Sequence, residues 1–206
     1  MKISYAITVC NELDEITKLL NFLQLNIRPE DEIVIQYDKS GATKGVKQYL
    51  KLMEKMHNYK VVEFPLNKDF ATFKNNLTQN CSGDYIFQID ADEIPHEALI
   101  EYLPQVLESN PVDVVFVPRV NTVEGITDHH IFKWNWRVNE KGWVNFPDYQ
   151  MRIYKKTDDV MWMNKVHERI TGYTTFSNFP AEEHWSLYHP KDIKRQEKQN
   201  KFYETI

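Results

Sequence analysis

The sequence is short of several things, and each shortage closes off a class of function. It has only 6 glycines in 206 residues, and none in the turn Cys10-Asn11-Glu12-Leu13-Asp14-Glu15 that follows the first apolar run. A loop that cradles a triphosphate needs glycine and positive charge at such a turn; this one is acidic. It has only two cysteines, Cys10 and Cys81. Cys10 ends an expected buried strand, so free thiols in a reducing compartment fit better than a disulfide. No apolar run approaches the ~20 residues that would span a bilayer. Met1-Lys2 leads straight into a strand-like segment with no leader between, so the expected location is cytoplasmic, with no integral membrane segment. Positive charge is not in excess either: 25 Lys and Arg stand against 30 Asp and Glu, a formal charge of −5. That balance argues against a nucleic-acid partner bound through its phosphates. No H-E-x-x-H or C-x-x-C occurs and His129 and His130 lack a spacing partner, so a structural zinc site is not expected. Internal repeats and low-complexity linkers are also missing.

What is present alternates. Ile3–Val9 reads as a strand buried on both faces, and Ile16, Leu19, Leu20 and Leu23 then recur at helical spacing with Asn11 or Asp14 placed to cap. Glu32–Tyr37, Lys60–Phe64, Tyr85–Ile89 and Val112–Val117 are further strands. Between them lie helices marked by Val46, Leu50, Met53 and Met56, by Phe70, Phe73 and Leu77, and by Leu99, Tyr102, Leu103, Val106 and Leu107. Strand and helix in alternation over about 120 residues predict a mostly parallel sheet covered on both faces. The region 121–175 differs. It holds Trp134, Trp136, Trp143 and Trp162 with short strand-like pieces (IFKWNWRV, YQMRIY, VHERI), as a mixed sheet with loops would. The segment from Lys191 to Tyr203 is polar, basic and helical in character.

The chemistry concentrates at Asp90-Ala91-Asp92-Glu93, directly after the strand YIFQI. In open α/β sheets ligands bind beyond the carboxyl ends of the strands. Two carboxylates at i and i+2 there can address one cation, and hard oxygen ligands suit Mn²⁺ or Mg²⁺ bridging to substrate phosphates. Such an ion would neutralise a departing diphosphate. The competing reading of the same residues is a solvated acidic turn ahead of the helix after Pro95.

The block from Asp69 to Glu93, DFATFKNNLTQNCSGDYIFQIDADE, resembles the family 2 glycosyltransferases of the GT-A fold. The carrying residues are Asp69, Phe70, Lys74, Asn75, Gly83, Asp84, Asp90, Asp92 and Glu93. The run Ile7–Glu12 looks like the first strand and nucleotide-contacting turn of that family, and Asp38 sits where an acidic residue follows its second strand. The resemblance implies an α/β fold: a Rossmann-like mixed, mostly parallel sheet flanked by helices. It implies a single domain over 1–206, with a nucleotide-sugar-binding half (1–120) and an acceptor half (121–206) that ends in a helical segment. It places Thr8, Asn11, Glu12, Asp38, Phe70, Lys74, Asp90, Ala91 and Arg152 at the nucleotide and donor, and Asp92 on the metal. Lys74 stands where the family usually has arginine, and it offers a point charge where arginine offers a planar fork.

The second half resembles a small phage- or bacterial-type subgroup of the family. It carries Asp148-Tyr149-Gln150-Met151-Arg152, then Trp162 to Val166-His167-Glu168, then His189 ahead of a basic helix. The implied activity is inverting transfer of a hexose from a nucleoside diphosphate donor, UDP foremost, to an acceptor hydroxyl on a glycan, lipid or protein. A base must take the hydroxyl proton: Glu168 is the first candidate and Asp148 the second, while the alternative for Glu168 is an ion pair that merely holds its loop. His189, or else His184, could add an imidazole to the cation. The tryptophans 134, 136 and 143 either stack on an acceptor sugar or serve as core. The basic segment (Lys191, Lys194, Arg195, Lys198, Lys201) is a lid over the diphosphate, a peripheral contact to an anionic acceptor or membrane, or a solvated helix. A sugar-1-phosphate nucleotidyltransferase and a non-catalytic carbohydrate- or nucleotide-binding protein of the same fold are the rival readings.

Overall fold

A computed structural model describes residues 1–203 of the chain; positions 204–206, the last of the expected acceptor half, lie outside the described residues. The first half alternates as its periodicity requires. The order is β1 (Ile3–Val9), α1 (Leu13–Asn26), β2 (Glu32–Asp38), α2 (Lys44–His57), β3 (Lys60–Phe64), α3 (Phe70–Asn80), β4 (Tyr85–Asp90), the two-residue β5 (Ile94–Pro95) and α4 (Glu97–Ser109). There follow β6 (Val114–Val117), β7 (Arg119–Glu124), α5 (Asp128–Lys133), β8 (Gln150–Lys155), β9 (Met161–Met163), β10 (Arg169–Thr171), β11 (Phe176–Asn178), β12 (Leu187–Asp192) and α6 (Ile193–Tyr203).

Seven strands form the central sheet in the order β11-β6-β8-β4-β1-β2-β3. It is parallel except at β8, which runs antiparallel to both β4 and β6. Strand β8 thus inserts a piece of the second half into the sheet of the first, and carries Arg152 beside the end of β4. The sheet is apolar on both sides, with Ile3, Tyr5, Ile7, Ile35, Phe87 and Ile153 wholly buried against Ile16, Leu19, Leu23, Leu50 and Leu103. Truncating any one of these aliphatic residues to alanine would cost about 2–5 kcal/mol. Gly83 admits the turn into β4: a Cβ there would stand 2.7 Å from the Ser4 backbone nitrogen.

Two smaller sheets frame the carboxyl edge of the large one. In β5-β12-β7, β12 runs parallel to β7 with His189 opposite Asn121, and antiparallel to β5. This brings His189 next to the Asp92 turn. The β9–β10 pair sets Trp162 opposite Ile170. Its turn is tied to α3 by two 2.8 Å bonds between the Asn75 side chain and the Trp162 backbone, and by the Phe70 amide on the Lys165 carbonyl.

Two local expectations change. The piece IFKWNWRV is not a strand: Thr127 and His130 close a capping box that starts α5, and Trp134 stacks on His130 after the helix ends. Helix α1 is capped by neither Asn11 nor Asp14. Glu12 holds the N-cap position without a side-chain cap bond, because its carboxylate turns back onto the Cys10 and Asn11 amides.

Candidate active site

Beyond the carboxyl ends of β1, β2 and β4 lies a cleft of about 990 Å³, lined by the expected nucleotide and donor residues and by Asp92, Asp148, Glu168 and His189. On the nucleotide side, β1 ends at Thr8 and the acidic turn. Asp38, at the end of β2, is nearly buried and accepts from the Ser40 and Leu66 amides. Gly41 closes over it, since a Cβ there would stand 2.5 Å from Asp38 Oδ2 and 2.8 Å from Cys10 Sγ. Asn11 and Phe70 flank this end. Ala91 is buried and donates its amide to the Thr8 carbonyl, which fixes the turn carrying the two aspartates.

Asp90 is held on all sides. Its Oδ1 accepts from Thr8 Oγ1 at 2.9 Å and lies 4.0 Å from Lys74 Nζ, and its Oδ2 is 2.6 Å from Arg152 Nη2. Burial would push this carboxyl up, but Arg152 and Lys74 outweigh it and hold it far below its ordinary value. Arg152, expected to face the donor diphosphate, sits beneath the acidic turn: it is buried, and the same Nη2 lies 2.6 Å from Glu93, which is fully buried. Its Nε finds no partner among the described residues. A buried carboxylate needs a buried cation, and Glu93 has two, the second being Arg119 at 3.0 Å.

Asp148, the second candidate base, is likewise engaged. Arg119 reaches its Oδ2 at 2.7 Å and Asn121 Nδ2 donates to the same oxygen at 2.7 Å. Burial opposes ionisation of Asp148, but the Arg119 charge prevails and lowers its pKa. The Asp148 bond orients the Asn121 amide, so that Oδ1 faces His189 Nδ1 at 2.7 Å and accepts its proton. The opposite nitrogen, Nε2, lies 3.3 Å from Asp92 Oδ2. Burial lowers the pKa of His189, with Asp92 opposing. The two atoms stand close enough together to address one cation. Two ligands at right angles about one Mg²⁺ or Mn²⁺ ion stand ~3 Å apart, given ligand distances of about 2.1 Å. The donor set fits such an ion with further ligands from outside the chain, although among the described residues no three His, Cys, Asp or Glu side chains gather at one point. His184 does not take part: it is exposed, pairs with Glu182, and lies outside the cleft.

Lys74, buried on the face of Trp162 with its Nζ 4.5 Å from the ring centroid, points to the β9–β10 turn and meets Glu168 Oε1 at 2.5 Å. One lysine thus touches both the Asp90 end of the cleft and the first candidate base. Of the three tryptophans in the aromatic segment only Trp136 lines the cleft, packed against Trp134. Trp143 packs on Phe146 and under Lys141, and none of the three belongs to the buried core.

The model of glycosyl transferase family 2 matches residues 4–185. The chain belongs to that family. This family 2 glycosyltransferase is similar in fold to the S. aureus TarS 1-349 structures, both the one in complex with UDP-GlcNAc (TM-score 0.67, 16% identity, 93% of this chain and 59% of that one) and the one in complex with UDP (0.66, 16%, 92% and 60%). It is also similar to the mannosyltransferase PcManGT from Pyrobaculum calidifontis in complex with GDP-Man and Mn²⁺ (0.50, 19%, 57% and 35%). The chain therefore spans less than two thirds of each of these structures. No curated protein matches it in sequence. Among the described residues no helix is long and apolar enough to cross a membrane.

Arg119 and Asn121 line the cleft without a reading from the sequence. Arg119 carried one signal: it directly follows the buried run VVFVP, where a charge must find a partner.

Proposed function

We propose that this glycosyltransferase moves a hexose from a nucleoside diphosphate donor, UDP foremost, to an acceptor hydroxyl with inversion, and that a divalent cation, Mn²⁺ or Mg²⁺, assists. The observation that carries the reading is the meeting in one cleft of two sets of groups. Asp92 faces Nε2 of His189, and Glu168 is held by Lys74 on the turn that Asn75 docks. The nucleotide complexes of TarS and PcManGT support the donor class and the Mn²⁺ of PcManGT supports the cation. In this reading Asp38, Asn11 and Glu12 receive the nucleoside. Asp92 and His189 hold the cation, which when bound would neutralise the diphosphate as the sugar bond breaks. Glu168 takes the proton of the attacking hydroxyl while the diphosphate leaves from the opposite face of the sugar. Lys74 fixes the Glu168 carboxylate in line. Asp148 and Arg152 become positioning residues, the first through Asn121 and His189, the second through Asp90. A cytoplasmic location is part of the proposal, supported by the free thiols Cys10 and Cys81.

Hydrolysis of several nucleotide sugars with Mn²⁺ present, measured as released nucleoside diphosphate, is the test. Turnover of a UDP-sugar that is lost in Asp92→Asn and in EDTA is the expected result. Equal turnover in EDTA removes the cation, and inertness toward every donor removes the transferase reading.

A further inference from the structure

Arg195, on the first turn of α6, lies against three carboxylates from two other elements. Its Nη2 is 3.3 Å from Asp92 Oδ2 and 3.6 Å from Glu12 Oε1, and its Nη1 is 2.5 Å from Glu15 Oε1. The helix presents it there because Asp192 caps the Arg195 amide and because β12, pinned to β7, fixes where α6 begins. Asp92 Oδ2, the oxygen that faces His189 Nε2, is thus also the oxygen that the guanidinium contacts.

We propose that Arg195 is a stand-in for the cation. Its guanidinium neutralises Asp92 until metal and donor diphosphate arrive together, so the metal alone binds poorly and the metal with nucleotide binds well. The inference rests on the reading of Asp92 and His189 as the cation site. A guanidinium and a divalent ion cannot share one carboxylate oxygen without repulsion where both groups are half-buried. The metal alone must therefore displace Arg195. A diphosphate brings the negative charge that lets both cations stay. The displaced side chain has somewhere to go: a second groove, bounded by Asn11, Glu12, Glu15, Asp192, Lys194 and Lys198, opens on its outer side. Glu15 already holds one end of the fork there. Releasing Asp92 while keeping Glu15 gives two discrete positions, inward and outward, and each ligand biases the choice by its differential contacts.

The test is Mn²⁺ binding followed by the electron paramagnetic resonance of the free aqua ion, with and without UDP, on the whole chain. Wild type is expected to bind Mn²⁺ weakly alone and far better with UDP. Arg195→Gln is expected to bind Mn²⁺ alone about tenfold more tightly than wild type, with a smaller gain from UDP. Glu15→Gln, which removes the outward partner, is expected to move the opposite way and weaken binding of the metal alone; a disturbed α6 would not give effects of opposite sign. Asp92→Asn separates the two layers of the argument. If it abolishes Mn²⁺ binding while Arg195→Gln and Glu15→Gln both match wild type, Arg195 is no stand-in and the cation site survives. If Mn²⁺ binding is indifferent to Asp92, the cation reading and this inference fall together.

Discussion

Lys74 Nζ meets Glu168 Oε1 at 2.5 Å, joining α3 to the β9–β10 turn through a lysine that also lies 4.0 Å from Asp90. The pairing ties the acid–base end of the cleft to its phosphate end through one buried cation. In the reading proposed here, Glu168→Gln removes the base while leaving a side chain that can still accept from Lys74. It is expected to lower turnover by about 10²–10⁴-fold while UDP affinity by calorimetry stays close to wild type. A mere loop tether predicts the converse, a lower Tm with turnover kept.

Asn121 is expected to act on the cation without touching it. Asn121→Ala removes the acceptor that fixes the His189 proton on Nδ1. Losing such an outer partner typically costs 10–100-fold in metal affinity, and a loss on the order of that factor is expected for Mn²⁺ in the presence of UDP. Asn121→Asp keeps an acceptor at that place and should recover part of it. Unchanged Mn²⁺ affinity in Asn121→Ala would separate His189 from the cation.

Glu93 is the keystone of the charges under the acidic turn. It is fully buried and pairs with both Arg119 and Arg152. Glu93→Gln leaves two guanidinium groups facing each other with less compensation, and removing one partner of a buried ion pair costs about 3–5 kcal/mol. For a chain of this size the Tm should fall on the order of 10 °C. Arg152→Lys should lower both Tm and turnover, because the shorter lysine must bring its ammonium to the place of the one nitrogen, Nη2, that bonds both Asp90 and Glu93. Calorimetry of both variants beside their turnover decides it.

The parts of this arrangement that could be read from the sequence are those whose partners lie close along the chain or whose pattern is periodic. Asp90 to Glu93 stands out through its place in the longer block Asp69–Glu93 and at the end of an apolar strand, and the strands from Ile3 to Val117 announce themselves by alternation with helices. Lys74 and Asn75 were visible as a pair, but not what each does: one side chain turns into the cleft and its neighbour bonds the β9 backbone. The Arg195 and Asn121 contacts have no local trace, since they arise only when β12 joins β7 and carries α6 across the mouth of the cleft. Segment 131–138 reads as strand-like because aromatic residues favour strands on average, whereas Thr127 and His130 set a helix start that local bonding decides.

Acid stability should reveal the other end of the sheet. Glu32, at the start of β2 and opposite Ser4 in the parallel register, accepts from Ser4 Oγ, from the Ser82 amide and hydroxyl, and from Lys2 Nζ at 2.9 Å. Burial works against its ionised form, but the hydrogen bonds from Ser4 and Ser82 and the one from Lys2 overcome that, and the carboxyl titrates at about 2 in place of its ordinary 4.5. A carboxylate whose folded pKa is depressed binds fewer protons folded than unfolded. Its contribution is therefore complete above about pH 4.5 and is lost as the pH falls through about 2. Glu32→Gln removes the charge at every pH. The variant should be clearly less stable than wild type at pH 7, and the gap should close between pH 4.5 and pH 2. Urea midpoints for both proteins at pH 7, 4 and 3 measure this. A gap that stays constant over that range would mean that Glu32 acts by packing and not by charge, and that the junction of β1, β2 and the turn before β4 is held without it.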